Sequence, residues 1–262
     1  MKKLNILDSY IHSYPSRQNI LDIFSDEWAS KMPSKSHLVT EPGFADLFED
    51  PRISWLSEVF GSIEGKKLLE LGPLEGGHSY MLNKMGAAKV DAIESNTRAF
   101  LKCLCVKEIF DLQNVNFMLG DFNAFLEETN KRYELIIASG VLYHMSDPIK
   151  LLRMIAKVTD KVMIWTHYYD ESIISSNKGL AKKFANSYKF SSDGIPMEWV
   201  EQSYQEALDW QGFCGGSKPT SKWLTRQSIL NLLDSLGFAD MSIGFENPNH
   251  PNGPSFAICA AK

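Results

Sequence analysis

Leu68-Leu-Glu-Leu-Gly-Pro-Leu-Glu-Gly-Gly-His78 runs from an apolar stretch with strand character into a glycine-rich turn and then into helix-forming residues. Strand, tight turn and helix in that order open a parallel sheet with crossover helices. Gly72 allows a sharp turn with close backbone approach, and Gly76 and Gly77 open the helix that follows.

The same rhythm extends downstream. Short apolar runs at Lys67–Leu71, Val90–Glu94, Val115–Leu119, Glu134–Ser139 and Val162–Thr166 alternate with helical patterns near Gly77–Met85, Asn96–Phe110, Asn123–Thr129 and Pro148–Val158. A strand-to-strand spacing of roughly 20–25 residues fits a repeated βα unit. Thr225–Leu236 reads as a further helix, N-capped by Thr225 and stopped at Gly237. Met241–Phe245 and Phe256–Ala260 are β-like, and the turn-rich Asn247–Gly253 between them predicts a hairpin. The expected fold is α/β: a Rossmann-like, mostly parallel seven-stranded sheet with helices on both faces.

Two segments fall outside the rhythm. In residues 1–60, an N-terminal helical extension is expected. Arg17–Ala29 places Ile20, Ile23, Phe24 and Trp28 at helical spacing, Pro33 and Pro42 interrupt, and Leu47–Phe60 resumes helix. Residues 167–223 exceed a normal connection and hold Trp199, Tyr204, Trp210, Phe213 and Trp223, which predicts a helical cap over the strand ends. The apolar face of the N-terminal helix is expected to pack on that cap. Residues 61–166 then form the cofactor-binding half, and 224–262 the closing helix and strands.

With 44% hydrophobic and 23% charged residues, the chain can bury a sizeable core. Its net charge of −5 gives no global basic field for a nucleic acid or an anionic membrane. Cys103, Cys105, Cys214 and Cys259 include no CxxC pair and read as reduced cysteines. His12, His37, His78, His144, His167 and His250 show no paired ligand spacing, so no metal is expected. There is no G-x-S-x-G nucleophile elbow. The opening residues are too polar for a signal peptide and no stretch is apolar enough to span a membrane, so the cytoplasm is the expected location. The protein is expected to be a monomer or a homodimer.

The turn also bears on the ligand. A dinucleotide site uses G-x-G-x-x-G to cradle a pyrophosphate on bare backbone. Here the spacing is G-x-x-x-G-G, and Glu75 would set a negative charge beside those phosphates. S-adenosylmethionine carries a sulfonium and an ammonium group and no phosphate, which an acidic loop tolerates. Glu94 ends the second strand, followed by Ser95, where a carboxylate can accept from two ribose hydroxyls. Asp121 and Phe122 follow the third strand and Ser139 and Gly140 the fourth.

Glu70-Leu-Gly-Pro-Leu-Glu-Gly76 resembles the glycine-rich first motif of the class I S-adenosylmethionine-dependent methyltransferases, except that Leu74 stands where that family commonly has a second glycine. The resemblance covers about Lys66–Thr166 and the closing strands. It implies S-adenosylmethionine as cofactor, held by Glu70, Gly72, Pro73, Gly76, Glu94, Ser95, Asp121, Phe122, Ser139 and Gly140. In that reading Asp121 accepts from the adenine amine and Phe122 packs on the ring. Gly140-Val-Leu-Tyr-His144 resembles the same segment in small-molecule methyltransferases and in the tRNA wobble-uridine carboxymethyltransferases.

Methyl transfer needs in-line attack on the sulfonium methyl, so alignment supplies much of the effect, and a general base is needed only for a nucleophile with a proton of high pKa. Tyr143 and His144 on the fourth-strand rim, and His167 after the fifth strand, are the expected catalytic residues, with Tyr168 and Tyr169 shaping the pocket. Singly, each has a structural alternative: Tyr143 could pack and His144 could cap the next helix. Lys218, Lys222 and Arg226 could hold an anionic substrate or be solvated charges. The expected acceptor is a small molecule and nucleic acid is disfavoured. A tRNA-modifying methyl- or carboxymethyltransferase and a non-catalytic S-adenosylmethionine-binding protein are the alternatives. An NAD-dependent oxidoreductase is disfavoured by the glycine spacing.

Overall fold

The computed structural model describes residues 10–209 and 215–262, so Met1–Ser9, Trp210, Phe213 and Cys214 lie outside the described residues. Before the sheet come α1 (Arg17–Asp22), β1 (Trp28–Ser30), β2 (Pro42–Ala45), α2 (Pro51–Ser54) and α3 (Leu56–Phe60). The βα series follows as β3 (Lys67–Leu71), α4 (Gly77–Lys84), β4 (Lys89–Glu94), α5 (Thr97–Phe110), β5 (Val115–Leu119), α6 (Phe122–Glu128), β6 (Leu135–Ser139), α7 (Pro148–Val158) and β7 (Lys161–His167). The insertion holds α8 (Glu171–Ser176), α9 (Lys178–Ala181), β8 (Phe184–Ser192), β9 (Ile195–Ser203) and β10 (Thr220–Leu224). The chain closes with α10 (Arg226–Ser235), β11 (Asp240–Asn247) and β12 (Ser255–Ala261).

The seven-stranded sheet has the order β11-β12-β7-β6-β3-β4-β5. β12 runs antiparallel to both its neighbours, and β3 to β7 pair in parallel. The expected sheet and closing hairpin are both present. Strand order reverses between β3 and β6, which opens a crevice at the carboxyl ends there.

The inner strands are near-continuous apolar runs buried on both faces, as a sheet covered by helices on both sides requires, whereas β11 at the edge has no buried residue. Leu69, Leu71, Ile136, Ala138, Phe256 and Ile258 pack with α6, α7 and α10 residues such as Leu126, Leu151 and Ile229. Leu68, Leu135, Ile137, Ala257 and Cys259 face the other way, toward α4, α5 and the N-terminal segment. Thr225 does cap α10, accepting from the Ser228 backbone N–H at 3.2 Å.

Two expectations need correction. The predicted helix over Arg17–Ala29 stops at Asp22, and Trp28 belongs to β1, which pairs in parallel with β2. Asp26 at φ +64° turns the chain out of helix between them. The segment also packs on the cofactor half rather than on the insertion: Leu21, Phe24 and Trp28 join the core of Cys103 and Val106 from α5.

The insertion was expected as a helical cap. After the short α8 and α9 it is a three-stranded antiparallel sheet, β10-β9-β8. Its overlooked signal is Asp193-Gly194, with φ +53° and +80°, a two-residue turn joining β8 to β9. Such turns match the twist of paired strands, and Tyr188 and Phe190 just before this one alternate with polar neighbours as a strand requires.

Candidate functional site

Hydrogen bonds carry the strand ladder onto the rim, where the Gly72 N–H donates to Ile93 O, that of Gly120 to Glu94 O and that of Gly140 to Trp165 O, each at 2.9 Å. The sequence-predicted residues therefore stand side by side at the carboxyl ends of β5, β4, β3, β6 and β7. Gly72 sits at φ +65°, and a Cβ there would lie 2.7 Å from Val141 Cγ1. Only glycine lets the β3 and β6 ends approach so closely. Pro73 is buried behind it and Gly76, at φ +80°, starts α4.

Glu94 is 6% exposed and braces this loop. Its Oε2 accepts from Leu74 N at 3.1 Å and its Oε1 from Asn96 N at 2.8 Å, while Ser95 beside it is exposed. The Ser95 backbone also donates to this carboxylate, which still keeps accepting capacity for a ribose hydroxyl. Burial raises the Glu94 carboxyl above its ordinary pKa, against the pull of the backbone donors. Leu74 lies at φ +55°, in the left-handed region. The loop thus keeps the glycine-type backbone path with a leucine on it.

Glu70 lies deeper, 2% exposed, with its carboxylate taken by the Ser79 hydroxyl and His78 Nδ1 3.8 Å away. Burial raises its pKa too, opposed chiefly by His78. His78 Nε2 donates to Asp50 Oδ2 at 2.8 Å, and Arg52 also grips Asp50, whose carboxyl is held well below its ordinary range by these partners against the opposing effect of burial. Arg52 in turn lies 4.5 Å over the Trp165 ring. The N-terminal segment thus bridges the glycine loop and the β7 rim.

Glu75 corrects the sequence argument. It is 2% exposed, paired with Lys102 at 2.8 Å, and accepts from the backbone of Ala29 and Ser30 at 3.1 and 2.7 Å. Its charge fastens the N-terminal segment to the loop and is neutralised there. The acidity on the rim belongs to Glu94 and Asp121. Asp121 is exposed and caps α6 through Asn123 N at 2.8 Å, whereas Phe122 is buried in the core.

On the other side of Gly140 (φ +86°) the rim is aromatic. A Cβ at Gly140 would lie 3.8 Å from Tyr143 Oη, which places that hydroxyl at the end of β6 beside the half-buried Ser139. The Tyr143 ring lies 4.1 Å from that of His144, 4.6 Å from that of His167 and 5.9 Å from those of Trp165 and Trp223. His167 stacks on Trp223 at 5.1 Å and 5°, and His250 closes on it at 4.8 Å.

His167 Nδ1 lies 2.8 Å from Gly253 O and 3.4 Å from Pro254 O. Carbonyls only accept, so Nδ1 carries the proton and Nε2 is bare in the neutral ring. Burial, helped by His250, lowers the His167 pKa to about 4, and burial together with His167 lowers that of His144 to about 3. Both rings are neutral at neutral pH. Burial keeps the Tyr143 phenol protonated.

Tyr143, His144 and His167 therefore stand together on one rim. Tyr168 is buried against Phe256, whereas Tyr169 is buried against Phe184 in the same hydrophobic cluster as Trp223 and Tyr143, behind the rim. Lys222 covers Trp199 and Arg226 pairs with Glu246, so neither is an unengaged cation. Asp50, Arg52, Trp165 and His250 were not singled out as site residues and Tyr204 and Trp223 were read only as aromatics of the cap, because α2, β7, the insertion and the closing hairpin carry no shared local spacing. Among the described residues no group of three or more His, Cys, Asp or Glu side chains could hold a metal ion, and no helix is long and apolar enough to cross a membrane.

A family profile described as "Methyltransferase domain" matches residues 63–209. The N-terminal domain of EvdMO1 with SAH bound is similar in structure, with a TM-score of 0.67 at 20% identity over 95% of this chain and 97% of that one. The same domain in the presence of SAH and D-fucose gives 0.65 at 19% identity, covering 94% and 93%. Among curated proteins, a tRNA U34 carboxymethyltransferase from Campylobacter hominis is 23% identical over 187 residues, 68% of this chain and 65% of the relative. The chain thus spans less than two thirds of that relative's length.

Proposed function

We propose that this chain, which belongs to the methyltransferase-domain family and is an S-adenosylmethionine-dependent enzyme, passes the methyl group to a hydroxyl of a small molecule seated on the Tyr143–His144–His167 rim. The observation that carries this reading is the His167 ring, tied by Nδ1 to the carbonyls of Gly253 and Pro254 so that a bare Nε2 stands in the aromatic cluster. A sugar or other small polyol suits the site, and the structural relative in the presence of SAH and D-fucose supports that class.

The residues present fit the cofactor. Gly72 leaves a cradle that a Cβ would fill, Glu94 keeps accepting capacity for a ribose hydroxyl, and Glu70 supplies buried negative charge beneath the loop for the ammonium end. Asp121 at the β5 end and Gly140 at the β6 end flank it. When bound, S-adenosylmethionine supplies an electrophilic methyl group on a sulfonium.

The chain's own residues do the rest. His167 Nε2 would take the proton of an acceptor hydroxyl held against it, leaving the oxygen free to attack the methyl group the cofactor would supply. With its pKa near 4, His167 is a weak base that is always in its active form above that pH, so proton transfer is late and alignment carries much of the rate. Tyr143, Trp165 and Trp223 wall the rim with apolar surface, which excludes water and fixes the attack geometry.

A tRNA acceptor is the second reading, favoured by the tRNA U34 carboxymethyltransferase relatives. One cationic cleft of about 460 Å³ is lined by Lys150, Arg153 and Lys222 with Phe190 and Trp199. Lys150 is paired with Glu127 and Arg153 with Asp193, so phosphates would have to displace existing partners. This favours the small acceptor.

Calorimetry with S-adenosylhomocysteine and NAD, followed by a labelled-methyl transfer assay over free sugars, glycosides, phenols and bulk tRNA, tests the reading. Binding of S-adenosylhomocysteine with methylation of a hydroxylated small molecule is expected. Binding of NAD alone, or methylation confined to tRNA, overturns it.

A further inference from the structure

The two rim histidines are anchored by chemically different partners. His167 Nδ1 faces two backbone carbonyls, whereas His144 Nδ1 lies 2.7 Å from Tyr204 Oη at the end of β9. We propose that Tyr204 is a positioning residue that donates its phenol proton to His144 Nδ1, fixing His144 as the Nε2–H tautomer while His167 is fixed as the Nδ1–H tautomer. The rim then offers one ring nitrogen that donates and one that accepts. The inference takes its catalytic meaning from the methyl-transfer reading above.

The direction of the Tyr204–His144 bond follows from the two groups themselves. A phenol O–H is a stronger donor than an imidazole N–H, and an imidazole nitrogen a stronger acceptor than a phenol oxygen. On these strengths the 2.7 Å contact has Tyr204 as donor and His144 Nδ1 as acceptor. The surroundings keep both partners uncharged: burial raises Tyr204 to about 12 and lowers His144 to about 3. Tyr143, His167, His250 and Arg52 are the other titratable or charged groups of this cluster, and the tyrosine and both histidines are likewise held neutral.

The consequence is a division of labour. A neutral imidazole has one proton, so an Nδ1 that accepts forces Nε2 to donate. His144 is then unfit to take a proton from the acceptor and fit to hydrogen-bond its oxygen, and His167 alone has a free lone pair. Neither Nε2 makes a hydrogen bond among the described residues, which leaves both for a ligand. Tyr204 lies in the insertion and His144 on the β6 rim, so this bond ties the accessory sheet to the reacting end of the site.

Long-range proton–nitrogen NMR of the uniformly ¹⁵N-labelled full chain reads the tautomers directly. His144→Gln and His167→Gln assign the signals by their disappearance. The expected pattern is Nε2–H for His144 and Nδ1–H for His167, with neither protonating between pH 5 and 8. Tyr204→Phe should erase the pure Nε2–H signature of His144 and leave that of His167 in place. An Nδ1–H tautomer for His144 in the unaltered chain overturns the proposal, even if Tyr204→Phe does not fold. So does a folded Tyr204→Phe variant with an unchanged His144 signal. Calorimetry with S-adenosylhomocysteine on the same sample keeps the two questions apart, since a failure to bind removes the methyl-transfer reading and leaves the tautomer assignment standing.

Discussion

Leu74 donates its backbone N–H to Glu94 Oε2 at 3.1 Å while itself held at φ +55°, so one carboxylate on β4 fixes the path of the loop that leaves β3. A left-handed leucine costs roughly 1–2 kcal/mol relative to glycine, a strain the charge-assisted bond offsets. Glu94→Gln should therefore weaken S-adenosylhomocysteine binding by roughly 1.5–3 kcal/mol, the range for hydrogen bonds to a charged group. Leu74→Gly should leave that affinity within about threefold, under 1 kcal/mol, because the backbone path is already a glycine path. Isothermal calorimetry decides both, and unchanged affinity in a folded Glu94→Gln removes Glu94 from the site.

Glu75 and Lys102 form a buried pair that clamps Ala29 and Ser30 to the loop. Removing one partner of a buried pair strands the other charge, at a cost of about 3–5 kcal/mol. Glu75→Gln should lower the melting temperature and open residues 23–46 to limited proteolysis. Its selectivity for S-adenosylhomocysteine over NAD should stay as it is. A gain of NAD binding would restore Glu75 as the discriminating charge.

The fold was legible wherever a short apolar run or a helical stripe marks the element locally. The runs at 67–71 and 115–119 have the observed strand bounds, and Pro148–Val158 the observed helix bounds. The failures have one physical form. Trp28 fits a helical stripe with Ile20 and Phe24, yet a turn at Asp26 sends it into a strand beneath α5, a partner 70 or more residues away. Trp199, Tyr204 and Trp223 read as helical cap from the length and aromatic content of their segment, and the Asp193-Gly194 turn between β8 and β9 went unused. In the site, glycines and strand-end carboxylates could be found because one motif holds them. Arg52, Tyr204 and His250 reach the rim from elements whose placement only the tertiary fold supplies.

His167 gives stability a sign with pH. Its pKa is about 4 in the folded chain and near 6.5 when unfolded, so as pH falls below 6.5 the unfolded state takes a proton that the folded state refuses. Stability is complete above about pH 6.5 and declines toward pH 4, by on the order of 3 kcal/mol for this group. His144 acts in the same direction, whereas the raised Glu70 and Glu94 carboxyls oppose it. Urea unfolding at pH 7.5 and 4.5 should show a smaller difference in His167→Gln than in the unaltered chain. Equal differences would mean that His167 is not held neutral by its surroundings.

Gly253 carries two duties at once, and a methyl group there should expose both. Its carbonyl accepts from His167 Nδ1 at 2.8 Å, and at φ +116° its backbone lies where an L side chain is strained. A Cβ would stand 2.7 Å from Trp223 Cζ3 and 2.9 Å from Cη2, the far edge of the indole that stacks on His167. Trp223 is buried between Ile174, Tyr143 and Phe184 and has no flexible end to withdraw. Gly253→Ala should destabilise by roughly 2–4 kcal/mol, the sum of a strained φ and an overpacked core. Gly65→Ala is the control: its φ is +73° but nothing lies within 4 Å of the added carbon, so it should lose only about 1 kcal/mol. Thermal unfolding measures both, and tryptophan fluorescence should shift only in Gly253→Ala. S-adenosylhomocysteine affinity should hold in both variants, because Glu94 and the glycine loop lie across β6 from the Trp223 side. Equal losses in the two variants would show that the Trp223 contact contributes nothing, and would leave His167 anchored by its hydrogen bond alone.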